Sequence, residues 1–133
     1  MTPSKDLKEY IVQEFGSDFE QKLELVNSVK YKSTPYSNKD YHSVLLYNEN
    51  HTDFSVGRVM AFLVPATGSN PIIVHQNTKK EYVEHLGVYK VNIQHGFNHT
   101  LIDDLAHYYP YYLYNPKNTD DLFLTLKSQP YLE

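Results

Sequence analysis

At 133 residues the chain has room for one domain, and 12 Lys and Arg against 16 Asp and Glu leave a formal charge of −4, which offers no basic field to hold a nucleic acid backbone. Cysteine is absent, which excludes disulfides, thiolate nucleophiles, zinc-finger ligands and iron–sulfur clusters and fits a reducing, cytoplasmic setting. Thirteen Tyr and six Phe supply the large half-buried rings that a folded core uses and a disordered chain lacks.

In chain order, the first 32 residues carry a helical period. Ser4 is placed to cap, and Leu7, Tyr10, Ile11 and Phe15 recur at three- and four-residue steps until Gly16. Ser17-x-x-Glu20 matches a capping box, and Leu23, Val26 and Val29 continue an apolar face, so a second helix is expected to end near Lys30. Pro35, Ser37 and Asn38 then break the pattern, and from residue 39 to 126 aromatic and β-branched residues predict mainly strand.

Residues 41–47 and 55–64 read as two strands joined through the polar segment 48–53. Residues 65–71 read as a turn, 72–74 as a short buried strand and 87–93 as an alternating strand, with 78–86 open to helix or strand. His99 to Tyr109 is either a helix stopped at Pro110 or an extended segment, and residues 119–126 are either a capped terminal helix or a last strand. No charged leader with an apolar stretch opens the sequence, and the longest apolar run, residues 59–64, is too short to cross a bilayer, so no membrane partner is expected.

Seven histidines are the functional residue type in evident excess. His99, Asp103 and His107 lie four apart, which on a helix would gather two imidazoles and a carboxylate on one face; the alternative is a plain polar helix face. A second grouping follows strands: His75-x-Asn77-x3-Glu81 and Gly96-x2-His99 are similar to the two motifs of cupin barrels. Asn77 stands at one ligand position of that pattern, so no metal is assigned, and no cofactor is indicated.

Phe15-Gly16-Ser17-Asp18, Ala61 to Pro65, Pro71 to Val74, Val91 to His99, Leu113-Tyr114-Asn115 and Asp120-Asp121-Leu122 occur in the order of corresponding segments in the ureidoglycolate lyases, which the chain resembles mainly over residues 54–126. Asn98 stands where that family has Trp, and His95 where Arg is common. The resemblance implies a single α+β domain over residues 1–133, with the N-terminal helical segment leading into an antiparallel cupin-like β-barrel or rolled sheet. It implies a carbon–nitrogen lyase, or a binding protein, for a small polar carboxylate. His99 and His95 would then be the catalytic residues, and His75, Glu81 and Asn92 the substrate-binding ones.

Tyr108, Tyr109, Tyr111, Tyr112 and Tyr114 crowd five rings into seven residues. Tyr couples apolar area to a polar tip, so an exposed run would serve as a contact patch for a protein partner or the second subunit of a homodimer. A buried run would instead close the core. The competing function is accordingly a non-enzymatic interaction module, such as an inhibitor or regulatory partner, with an acidic, Tyr-rich surface. An enzyme needs His99 and a second polar group converging in a concave site, whereas a binder needs only an exposed patch.

Overall fold

A computed structural model describes residues 1–39, 42–47, 50, 52–103, 108–112 and 121–124. The first expected helix forms as α1, Lys5–Phe15: the Ser4 hydroxyl accepts from the Leu7 N–H at 3.3 Å, and the Gly16 N–H closes the last turn on the Val12 carbonyl at 2.8 Å. Leu7 and Ile11, one turn apart, are its buried residues.

The second expected helix does not form. The capping box yields only a single 3-10 turn, Phe19–Gln21, with no side-chain cap, and the chain continues as β1, Leu23–Val26, and β2, Ser28–Tyr31. The three-residue spacing of Leu23, Val26 and Val29 suits two short strands broken at Asn27 as well as a helix, and tertiary pairing decides. β2 turns back through Lys32 and Ser33, both at positive φ, into β3, Thr34–Ser37, so part of the segment read as a break is an edge strand that tolerates Pro35.

The remaining elements are β4, His42–Tyr47; β5, Phe54–Pro65; β6, Ile72–Val83; β7, Val88–Leu101; β8, Tyr108–Tyr112; and β9, Leu122–Leu124. Residues 78–83 resolve as strand, the segment after Leu101 gives β8 rather than a helix continuous with His99, and residues 122–124 are a strand. At least three antiparallel strands between residues 40 and 95 are thus present, as the alternation required.

All pairings are antiparallel, in the order β8-β4-β5-β6-β7-β9, with β1 also on β5 and β2–β3 forming a separate ribbon. The sheet is open; the closed barrel expected from the resemblance does not form. The sheet is organised around β5. Its first half pairs with β4 through Phe54 to Arg58, its last residues pair on the same edge with β1 through Phe62 to Pro65, and its other edge pairs with β6.

Between the two partners sits a bulge. Val59 and Ala61 oppose His75 and Val74, Met60 is the extra residue, and the Asn38 side chain donates to its carbonyl at 2.9 Å. The bulge keeps Ala61 and Leu63 beneath α1, where they pack with Leu7, Ile11, Phe19 and Val74, while Phe62 turns to the other side. There Phe62 packs with Val44, Val59, Ile73, Ile102 and Tyr36 of β3. A third cluster, Leu45, Val56, Val91, Leu122 and Leu124, closes the β9 end. No helix among the described residues is long and apolar enough to cross a membrane.

Candidate functional site

His75 and His99 lie on neighbouring strands one register step apart, His75 opposite Asn98 and His99 opposite Val74. Adjacent positions along a strand point to opposite faces, so the two imidazoles are presented to different sides of the sheet. His99 lies on the α1 side. Its Nδ1 is 2.7 Å from the Tyr10 hydroxyl, and Phe15 covers it with ring centroids 4.9 Å apart. Burial, with the charge of Glu14 added, raises the Tyr10 pKa.

His75 is only 3% exposed. Its Nε2 meets the Thr100 hydroxyl at 3.0 Å, while its Nδ1 is buried and has no hydrogen-bond partner among the described residues. Gly57 is the reason the ring fits, since a Cβ there would stand 2.8 Å from that Nδ1. A lone pair at Nδ1 costs less to bury unpaired than an N–H, so the neutral ring donating from Nε2 suits this pocket. Protonation would add a donor with nothing to receive it. Burial first, and repulsion from His99 second, lower the His75 pKa to about 4.

The other candidate site residues do not converge on this pair. Glu81 and Asn92 are exposed on β6 and β7, facing Lys90 and Lys79 across the ladder. His95 is exposed where the β6–β7 register breaks between Gln76 and Thr78. Asp103 lies in the turn after β7, bonded to the Tyr31 hydroxyl and 3.4 Å from the Lys32 ammonium, so the helical spacing of His99, Asp103 and His107 has no helix to act on. His107 and Tyr114 lie outside the described residues. Of the tyrosine run, the backbone of Tyr108–Tyr112 is placed as a strand on β4. Among the described residues no three His, Asp or Glu side chains gather as a metal site.

A different feature emerges where β6 and β7 continue beyond the β5–β6 ladder, with Val91 still packed against Leu45 and Val56. The β5–β6 ladder ends at Arg58 and Gln76, and from Thr78 to Ile93 the two long strands run on as an arm, with β9 against Tyr89 to Val91. The arm carries an aromatic row. Phe54 meets Tyr89 edge-on at 5.3 Å, Tyr89 meets Tyr82 at 5.1 Å, and the Lys80 ammonium lies over both Phe54 and Tyr89 while pairing with Asp53 at 2.9 Å.

The row leads to a turn, Glu84 to Gly87, in which Gly87 takes φ 66° and its N–H returns to the Val83 carbonyl at 2.9 Å. Tyr82 and Leu86 are 53% and 56% exposed, and apart from Met1 they are the exposed large apolar residues of the described chain. Sequence reasoning passed over Tyr10, Gly57, Tyr82 and Leu86. For the arm a partial signal existed, since Gly87 closes the turn Glu84-His85-Leu86-Gly87 just ahead of the alternating residues 88–93.

No family model, curated protein or solved structure matches the chain.

His75 makes stability pH-dependent in a defined window. Above the ordinary value of 6.5 both folded and unfolded chains hold it neutral; as pH falls from 6.5 toward about 4, the unfolded chain takes up a proton that the fold refuses. Its contribution is therefore a loss of stability on acidification, approaching roughly 3 kcal/mol and levelling below the folded pKa. Urea unfolding of wild type and His75→Leu at steps between pH 7.5 and 4 checks this: the wild type loses stability relative to the variant as pH falls, and a constant difference contradicts it.

Proposed function

We propose that this chain is a protein-binding domain rather than a catalyst, with the β6–β7 arm as its contact surface. The observation that carries the reading is the exposure of Tyr82 and Leu86, both more than half exposed, Tyr82 at the end of a supported aromatic row and Leu86 in the turn beyond it. Ordering such a surface costs little on binding, because the Phe54, Tyr89 and Lys80 contacts already hold the row in place. Tyr supplies large apolar area with a polar tip, the combination that dominates binding hot spots.

Photo-crosslinking from position 82 in source cells identifies the partner. Tyr82→Ser and Leu86→Ser are then expected each to weaken its binding by roughly 30-fold, the size of a hot-spot loss, with the unfolding midpoint unchanged in Leu86→Ser and only slightly lowered in Tyr82→Ser, which gives up the ring contact with Tyr89. Partner affinity unaltered in both variants contradicts the reading.

A second reading, a lyase acting on a small polar carboxylate such as ureidoglycolate, is favoured by the 2.7 Å contact between the Tyr10 hydroxyl and His99. Cleavage needs a base for the hydroxyl proton and an acid for the departing nitrogen, and a phenol–imidazole pair supplies proton donors and acceptors of both kinds. Glyoxylate release by the wild type, lowered by roughly 10²–10⁴ in His99→Ala, supports it; a wild type that releases none removes it.

A further inference from the structure

Among the described residues β1 pairs on one side, with β5. The Ala66 N–H donates to the Lys22 carbonyl at 2.8 Å, and the next ladder pair sets Leu23 against Pro65, which has no N–H to give. Antiparallel alternation then turns the backbone groups of Glu24 toward Val64 and sends those of Leu23 and Leu25 to the outer side. Among the described residues no strand pairs with that side. Two N–H and two C=O groups stand there at ladder spacing, a template for one more strand.

Beside this edge lies a groove of about 440 Å³ whose lining takes in the apolar Met1, Phe19, Leu23 and Leu25 and, with them, charged residues of both signs, Lys8, Lys22, Glu20 and Glu24. Leu23 and Leu25 already lean into the cluster beneath α1, so residues of an added strand lying opposite them would point to the same side as the groove. Glu24 points to the other face and is exposed. Its charge selects the occupant. In the register that uses the outward groups of both Leu23 and Leu25 on each chain, a second copy pairing β1 against β1 would set Leu23 opposite Leu25 in each direction and Glu24 directly opposite Glu24, which like-charge repulsion opposes. A cation at that position is favoured instead. Lys22 does not cancel the preference, because its backbone, at φ −120° and ψ −22°, leaves the extended region and ends the regular alternation of the strand there, although its carbonyl still accepts from Ala66.

We infer that the outer edge of β1 binds an extended segment of a partner protein by antiparallel strand addition, with an apolar–basic–apolar triplet whose basic residue faces Glu24. Main-chain bonds to Leu23 and Leu25 hold the backbone, the groove takes the apolar side chains and Glu24 sets the centre. This surface is separate from the β6–β7 arm and does not depend on it.

The test is selection of a random linear peptide library on the folded protein, followed by titration of a chosen peptide into ¹⁵N-labelled chain. An apolar–basic–apolar consensus is expected, with the amide signals of Leu23 and Leu25 moving on binding. Glu24→Lys is expected to lower affinity for the selected peptide roughly tenfold, the worth of exchanging an attractive cross-strand charge pair for a repulsive one, and to shift the consensus to an acidic centre. Tyr82→Ser and Leu86→Ser leave the peptide affinity unchanged, which separates this edge from the arm. Absence of any binder, bound peptides that leave the Leu23 and Leu25 amides unmoved, or a consensus indifferent to Glu24→Lys overturns the proposal.

Discussion

Everything in this molecule leans on β5. One strand of twelve residues, Phe54–Pro65, serves β4 and β1 in succession along one edge and β6 along the other. The bulge at Met60 separates the two partners on the shared edge and sets which side chains face α1. Without the extra residue, Ala61, Phe62 and Leu63 would exchange faces, since a shift of one residue inverts the side-chain pattern of a strand. Phe62 would then lie under the helix, and Leu63 would face the β2–β3 ribbon.

The same constraint explains why the polar groups of the middle strands sit apart. His75 is held beside Gly57, on the side of the sheet away from the helix, and His99 is held on the helix side by Tyr10 and Phe15. The sheet that separates them also leaves Glu81, Asn92 and His95 on the exposed strands beyond. A closed barrel would bring inward-facing residues of several strands around one axis. This open sheet distributes them, and among the described residues it presents an aromatic row along β6 and β7 and an outer edge of β1 with which no strand pairs.

Much of the fold was legible where local chemistry and tertiary demand agree. Ser4, the spacing from Leu7 to Phe15, and Gly16 specify α1, and β-branched runs locate β4, β5 and the first half of β7, whereas its continuation to Leu101 was not legible as strand. Legibility failed where short segments serve long-range pairing. Leu23, Val26 and Val29 have a helix spacing, yet the four residues of β1 are fixed by β5, forty residues away in sequence, and nothing local to them announces it. The full length of β6 was hidden because Lys79, Lys80 and Glu81 dilute its alternation, although Lys80 finds its place over two rings. The histidines were legible as candidates from residue type alone, whereas their separation onto two faces depends on register. The Tyr10–His99 contact joins residues 89 positions apart, and no spacing rule reaches that far.

The most direct test of β5 as the organising strand is native-state amide hydrogen exchange followed residue by residue. The account requires the amides of Val59, Phe62, Leu63 and Ile73 to exchange only through global unfolding, with opening free energies equal to the stability measured by urea. Those of Glu84 to Gly87 at the arm tip should exchange orders of magnitude faster. Fast exchange through β5 while α1 or the arm stays protected would contradict it.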